Sequence, residues 1–347
     1  MASLASIQER TWDLFLRPSP LAREVFAAHV RALGVVEPEP ITQFSFFDER
    51  HLARAIEVAA ELMERAGTGS TEDGLERALD HYERLQGREN PDLLDYALMV
   101  LITHHPRGRI LAHAIPPITL RNPELVAPSA VTPERAVHGL EMLIALRRRV
   151  ELGVLPAFTG GALPSDGLEW FREDPLASEH HVHWHVVYPF AGIPDPADPN
   201  QRTFKDRQGE IFLYMHQQML ARYDAERLAL PELEPVSPLE RYAEPIRTGY
   251  DPGPYLQANH FFPRKPGARM VDLPPRPPQQ PEPYTVARHD QVRARLREAV
   301  ERREYLHASP PLPMTSPPGD PNREPSLLGH TIEATGARVR SADPTAA

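Results

Sequence analysis

The sequence contains no cysteine among its 347 residues. This absence excludes disulfide bonds, thiolate metal ligands and a cysteine nucleophile, and it is typical of proteins in a reducing cytoplasm. No apolar run is long enough to span a bilayer, and the first thirteen residues lack the apolar segment of a secretory signal. We therefore expect a soluble, cytoplasmic protein.

The sequence also lacks an excess of positive charge. Its formal net charge is -10 and its isoelectric point is about 5.9, which argues against a nucleic acid or an anionic membrane as partner. There is no glycine-rich phosphate-binding loop and no internal repeat. Hydrophobic residues make up 41% of the chain and charged residues 25%, so a packed core is expected.

What the sequence does contain is a series of amphipathic segments in its first half. Apolar residues at helical spacing predict helices over residues 7–16, 21–33, 48–65, 71–85, 93–103 and 132–149. The segment 93–103 is apolar on nearly every side, which predicts a central, buried helix. We expect a helical N-terminal domain over residues 1–150.

Proline is abundant, with 40 residues concentrated in the second half. It predicts mostly irregular chain over residues 231–283, followed by a long polar helix over 286–306. The predicted fold class is therefore mainly α, with the helical N-terminal domain followed by a second domain over residues 151–347. That domain is expected to be a partial helical bundle with proline-rich irregular connections.

Four histidines lie within six residues of the second domain, at positions 180, 181, 183 and 185. On a β-strand, His181, His183 and His185 would share one face, as in a strand-borne zinc site. On a helix, His181 and His185 lie one turn apart and can bind the same ion. His180 and His183 would then lie on other faces, in supporting or surface positions.

A second histidine segment favours the helical interpretation. Residues 206–230 have the pattern of an amphipathic helix, and His216 lies on its apolar side near Phe212, Met219, Leu220 and Tyr223. A histidine pair on one helix and a single histidine on another form a three-imidazole site, which suits copper or zinc. His104 and His105 end the buried helix and are expected to be structural. The nine remaining histidines are assigned no role.

These segments resemble the arthropod hemocyanin and prophenoloxidase branch of the type 3 copper proteins. The sequence FREDP at 171–175 and the following HHVHWHVVYP resemble the family's first-copper helix, and DRQGE at 206–210 with IFLYMHQQMLARYDAERL resembles its partner helix. Further upstream, YALMVLITHHPRG resembles the family's helical N-terminal domain. The resemblance implies a first-copper helix pair at about 178–188 and 206–230, with His181, His185 and His216 as the ligands of one copper ion.

The same resemblance implies two copper ions in a complete site, the second held by another histidine pair four residues apart and one further histidine. After His216 the remaining histidines are at positions 260, 289, 307 and 330, and none lies within seven residues of another. We therefore expect one copper ion in this chain, with the second-copper helices and the C-terminal β domain of the family absent from it.

In the family that the chain resembles, the copper pair binds O2, and oxidase members use it on phenols or diphenols. In carrier-like and zymogen forms of that family, an aromatic side chain of the N-terminal domain covers the copper. By this resemblance Phe44, Phe46 and Phe47 are the candidates for such a shield, and the alternative is that they form an ordinary core cluster. No residue is assigned a catalytic role. A complementary chain that supplies the second copper would give a phenoloxidase, and an uncovered apolar face predicts association with that chain or with itself. The alternatives are a non-enzymatic or degenerate copper-binding or O2-carrier relative and, ranked last, a zinc hydrolase.

Overall fold

The chain is mainly helical, as predicted, in a computed structural model that describes residues 3–16, 44–45, 48–117, 121, 168, 171, 174–189, 191–198, 200–230, 242–246, 265–275, 283, 285–305 and 311–313. Within them lie seven α-helices: α1 (Leu4–Leu16), α2 (Glu49–Gly67), α3 (Thr71–Leu85), α4 (Pro91–His104), α5 (Pro175–Val187), α6 (Gln208–Leu228) and α7 (Val286–Arg302). A 3-10 helix covers Gly108–Ala114. The helices predicted over 21–33 and 132–149 lie outside the described residues.

Two compact units make up the chain. The first contains residues 1–126, 131–158 and 174–205, and therefore includes α1 to α5. The second contains residues 127–130, 159–173 and 206–347, with α6 and α7. The helix that carries His181 and His185 thus belongs to the same unit as the N-terminal helices.

Side-chain caps define where three helices of the first unit begin. Asp48 accepts hydrogen bonds from the backbone N–H groups of Arg50 and His51, at 2.9 and 3.1 Å, and so caps α2. Ser70 caps α3 and Asn90 caps α4 in the same way. Each cap satisfies donors that the first turn of a helix leaves without an internal acceptor, which is typically worth about 1 kcal/mol.

The core of the first unit is built around α4. Ten of its fourteen residues are buried, including Leu94, Leu98 and Leu101, because apolar side chains cover nearly its whole circumference. The stripe predicted for α2 is buried as well, at Leu52, Ala55, Ile56, Ala59 and Leu62. The expectation of a central buried helix is thus confirmed.

Short antiparallel strand pairs complete the described structure. In the first unit β1 (Ile193–Pro194) pairs with β2 (Arg202–Thr203), and in the second unit β3 (Glu304–Tyr305) pairs with β4 (Leu312–Pro313). The helix predicted over 286–306 ends earlier, at Arg302, because Arg303 adopts a left-handed conformation at φ 58°. None of the described helices has the length and apolar character needed to cross a membrane.

Candidate metal centre

The histidine-rich segment folds as a helix, so the strand interpretation is excluded. Asp174 caps α5 by accepting from the backbone N–H groups of Leu176 and Ala177, at 2.8 and 3.2 Å. Pro175 occupies the first turn, where its missing N–H is not needed. The helix continues to Val187, which places His181 and His185 one turn apart on the same side.

His181 and His185 bring two ring nitrogens together. Their Nε2 atoms lie 3.0 Å apart, and their ring centroids lie 4.8 Å apart. His185 is buried, whereas His181 is half-buried. The nitrogen separation is compatible with two imidazoles on one ion at metal–nitrogen distances of about 2.0–2.1 Å. Nitrogen donors without a carboxylate suit copper or zinc.

The other two histidines of α5 have different surroundings. His180 is exposed, with its ring 6.5 Å from that of Trp184. His183 Nε2 lies 3.6 Å from Glu179 Oε1, one turn earlier on the helix. Burial lowers the pKa of His183 and the nearby Arg121 lowers it further, while Glu179 raises it. These two histidines therefore lie away from the nitrogens that His181 and His185 bring together.

Polar groups of the N-terminal region hold α5 at both ends. Near its start, Arg121 Nη2 lies 3.3 Å from Glu179 Oε1, and the arginine side chain is 2% exposed. At its end, Tyr96 Oη donates to the carbonyl of His185 at 2.9 Å. His104 Nε2 is 2.8 Å from the carbonyl of Val186 and must be the donor, since a carbonyl oxygen only accepts.

His104 is therefore structural, as predicted, and it is uncharged at neutral pH. Burial is the main cause that lowers the pKa of His104 to about 4, and the nearby positive charges of Lys205 and Arg109 contribute to this lowering. The hydrogen bond to Val186 acts in the opposite direction but is outweighed. His105 is also buried, and its Nδ1 accepts from the backbone N–H of Arg107 at 3.2 Å.

His216 lies in the second unit, on α6, and is half-buried. Its Nδ1 is 2.8 Å from the carbonyl oxygen of Phe212, so Nδ1 carries the proton and donates it. This bond fixes the tautomer in which Nε2 keeps its lone pair, and metal-binding histidines are commonly oriented by such a bond through their other nitrogen. The ring of Phe212 lies 4.1 Å from that of His216.

The surroundings predicted for His216 are correct only in part. Phe212, Met219 and Tyr223 are half-buried, but Leu220 is 63% exposed. Apolar residues occur on more than one side of α6, so helical spacing alone did not determine which of them is buried. Tyr214 and Leu228, on the outer side, are 62% and 87% exposed.

Of the three aromatic residues considered as a shield, the structure describes Phe44. Its ring centroid lies 5.6 Å from that of Tyr96 and 6.4 Å from that of His51. Phe44 thus contacts the tyrosine that binds the carbonyl of His185. Phe46 and Phe47 lie outside the described residues.

Sequence reasoning did not identify the anchoring roles of Tyr96, His104 and Arg121. The available signal is that two side chains with polar atoms, eight residues apart, lie among the otherwise apolar residues predicted to be buried in α4, because buried polar groups require partners. The identity of those partners, two backbone carbonyls more than 80 residues away in the sequence, has no counterpart in residue spacing.

Comparisons with known proteins agree on one family for this chain. The family model described as "Hemocyanin, copper containing domain" matches residues 156–335, more than half of the chain. One hemocyanin polypeptide of Scutigera coleoptrata is 32% identical over 254 residues, which are 71% of this chain and 34% of the relative. Phenoloxidase 8 of Anopheles gambiae is 31% identical over 235 residues, 66% of this chain and 31% of the relative.

Among solved structures, the crystal structure of AsqI matches with a TM-score of 0.54 and 23% sequence identity. The match covers 86% of this chain and 44% of that protein, and it supports the fold. The chain spans about a third of the length of the curated relatives that it matches.

Proposed function

Because the chain belongs to the hemocyanin family of copper-containing domains, we propose that His181, His185 and His216 bind one copper ion. The observation that carries the proposal is the 3.0 Å approach of the two Nε2 atoms on α5. The tautomer of His216 supports it, since its Nε2 keeps a lone pair. In this proposal each of the three histidines offers one ring nitrogen to the ion. In this family the bound copper supplies O2 chemistry.

The chain's own residues keep the histidine nitrogens in a state in which they can bind a metal. The bond from His216 Nδ1 to the carbonyl of Phe212 places the proton of the neutral ring on Nδ1 and leaves the lone pair of Nε2 for a metal. His185 is 5% exposed, so most of its side chain is shielded from water. The carboxylate of Glu179 pairs with Arg121, so it does not serve as the general base that a zinc hydrolase requires. This pairing favours copper over the hydrolase alternative.

A copper titration of the metal-free full chain tests the ligand set. We expect tight binding of one Cu(II) per chain, which His216→Ala abolishes, because two imidazoles on one helix leave the ion without its third donor. His183→Ala is the matched control, since this side chain lies elsewhere on α5 and is 44% exposed. Equal loss of binding in the two variants would contradict the proposed ligand set.

We further propose that oxidation of phenols or diphenols with O2 requires a second copper site from a complementary chain. In the family that the chain resembles, two coppers act together, and the sequence after His216 has no histidine pair four residues apart. The copper-loaded chain alone is therefore expected to leave catechol unoxidised. Catechol oxidation by that chain alone would show that a complete site forms without a partner, and a chain that stays inactive with every partner would favour the non-enzymatic alternative.

The outer side of α6 supports association with that chain or with a second copy. Tyr214, Leu220 and Leu228 are each more than 60% exposed, and exposed apolar side chains on one helix commonly mark an interface. We expect the purified chain to self-associate, and Leu220→Ser with Leu228→Ser to reduce that association, as measured by sedimentation velocity. A strictly monomeric chain at high concentration would contradict self-association.

A cytoplasmic location remains part of the proposal, supported by the absence of cysteine.

A further inference from the structure

Two backbone carbonyls in the last turn of α5, those of His185 and Val186, most directly affect the position of the ligand pair His181 and His185. The last four carbonyls of an α-helix have no N–H partner within the helix. The carbonyl of Trp184 has a backbone partner, because it accepts a hydrogen bond from the N–H of Tyr188 at 2.9 Å. The next two carbonyls, those of His185 and Val186, accept from Tyr96 and His104 of α4.

Both donors are built into the core. Tyr96 is 2% exposed and His104 is 8% exposed, in a helix whose other buried residues are apolar. A buried hydroxyl or imidazole without a partner costs free energy, so each side chain favours the single arrangement of α5 that places a carbonyl within its reach. Lowering of the pKa of His104 to about 4 keeps the ring neutral at physiological pH.

Apolar packing alone leaves the exact rotation and axial position of a helix loosely determined, since it has no directional preference. On α5 the apolar contacts come from Val186, which is buried in the core, and Val182, which packs against it. Two hydrogen bonds to adjacent carbonyls remove that freedom at the end of the helix. The pair Arg121–Glu179 restrains the opposite end.

We propose that Tyr96 and His104 are positioning residues for the copper ligands His181 and His185. They hold the carbonyls of His185 and Val186 and thereby fix the rotation and the register of α5, which keeps the two Nε2 atoms 3.0 Å apart before any metal binds. This inference rests on the proposed function. It links the ligand pair to the N-terminal helices, and copper binding is therefore expected to stabilise the first unit as a whole.

The test compares two tyrosines that differ in what their hydroxyls bind. Tyr96→Phe removes the bond to the ligand helix. Tyr82→Phe, at a residue that is equally buried as a whole, removes a hydroxyl that donates to Asp95 at 2.6 Å and does not involve α5. Both variants are expected to lose thermal stability. We expect Tyr96→Phe alone to weaken Cu(II) binding by about tenfold or more, the range typical of residues that orient metal ligands.

Two further readouts separate positioning from general stability. The electron paramagnetic resonance spectrum of bound Cu(II) should broaden or divide into several species in Tyr96→Phe and stay unchanged in Tyr82→Phe, because only the first alters the ligand geometry. At position 104, Gln retains a side-chain N–H donor and should preserve copper affinity, whereas His104→Leu should not. Equal copper affinities and spectra in Tyr96→Phe and Tyr82→Phe would overturn the proposal.

Hydrogen exchange of the metal-free full chain distinguishes this inference from the proposed function. In Tyr96→Phe and His104→Leu, amides of α5 should exchange about tenfold faster or more than in the unmutated chain, with a smaller change in Tyr82→Phe. If the unmutated chain binds no copper, the proposed function is wrong. The role of Tyr96 and His104 in positioning copper ligands is then wrong as well, even where exchange shows that α5 is anchored. If copper binds tightly but exchange and affinity are unaffected, only the positioning role is wrong.

Discussion

The two helices that carry the candidate ligands, α5 and α6, differ in how they are held. Helix α5 begins at a capping aspartate, has a valine in the core and receives polar contacts at both ends. Helix α6 begins at Arg207, which provides no side-chain cap, and only Gln208, Gly209 and Met215 are buried along its 21 residues. The ring of His216 is oriented by a carbonyl of its own helix, four residues earlier.

This difference indicates that the ligand pair on α5 and the single ligand on α6 are positioned in different ways. The pair on α5 is fixed by the surrounding unit before metal arrives, so little conformational entropy remains to be lost when it binds. The single ligand on α6 is prepared only locally, through its tautomer, and most of its helix is half-buried or exposed. We expect metal affinity to depend on distant residues of α4 for the first pair and on α6 itself for the third ligand.

The largest predicted effect contrasts the core of the first unit with the outer side of α6. Leu98→Ala deletes a fully buried side chain on α4 and is expected to cost about 3 kcal/mol of unfolding free energy. Leu220→Ala removes the same atoms at a position that is 63% exposed, and should cost less than about 0.5 kcal/mol. Urea denaturation of both variants measures this. Similar losses would show that α6 is covered in solution and that the contrast is wrong.

The next prediction concerns acid and the anchor of α5. The pKa of His104 is about 6.5 in an unfolded chain and about 4 when buried, so the folded state binds its proton less readily. Its contribution to stability is therefore fully present above pH 6.5 and is lost as the pH falls toward 4, by about 2 kcal/mol between pH 7.5 and pH 5. His104→Gln should remove this part of the pH dependence of stability.

The matched control for His104 is His113→Gln, at an exposed histidine of the same unit. Stability curves of the three proteins from pH 7.5 to 5 should show a reduced slope only in His104→Gln. An unchanged slope in that variant would mean that the ring is already protonated or solvated in the folded state, and would remove the reason to treat α5 as more firmly held than α6.

The sequence predicts well whatever depends on local periodicity. The cap at Asp48 and the stripe from Leu52 to Leu62 follow from neighbours within one or two turns, and the structure confirms them. The burial of most residues in 93–103 follows from apolar side chains on nearly every side. The helix carrying the histidine pair was also predicted, because His181 and His185 have the spacing of one turn.

What the sequence does not predict depends on contacts between distant segments. The bond from Tyr96 to the carbonyl of His185 joins residues 89 positions apart, and the pairing of Arg121 with Glu179 joins residues 58 apart. The exposure of Leu220 does not follow from the sequence for a different reason, because apolar residues on two sides of α6 leave helical spacing ambiguous. The ligand role of the three histidines remains a prediction.

A smaller effect is expected where α5 begins. Asp174→Ala removes the acceptor for two backbone N–H groups of the first turn and should cost about 1 kcal/mol of unfolding free energy. Asp174→Asn keeps an acceptor oxygen and is the control. Copper affinity should change little in either variant, because the anchors at the far end of α5 remain. A large loss of affinity in Asp174→Ala would mean that the start of the helix, rather than its end, positions the ligands.

The smallest effect is expected at the corresponding position of α6. Arg207 precedes the helix in a left-handed conformation at φ 56°, which a side chain with a Cβ adopts only at a cost. Arg207→Gly relieves that cost but also increases the entropy of the unfolded chain, so the net gain should be about 0.5 kcal/mol or less. Arg207→Ala, which keeps the strain and removes the charge, is the control in the same urea titration. A loss of stability in Arg207→Gly comparable to that in Asp174→Ala would mean that the arginine side chain supports α6. The starts of α5 and α6 would then be stabilised to a similar degree.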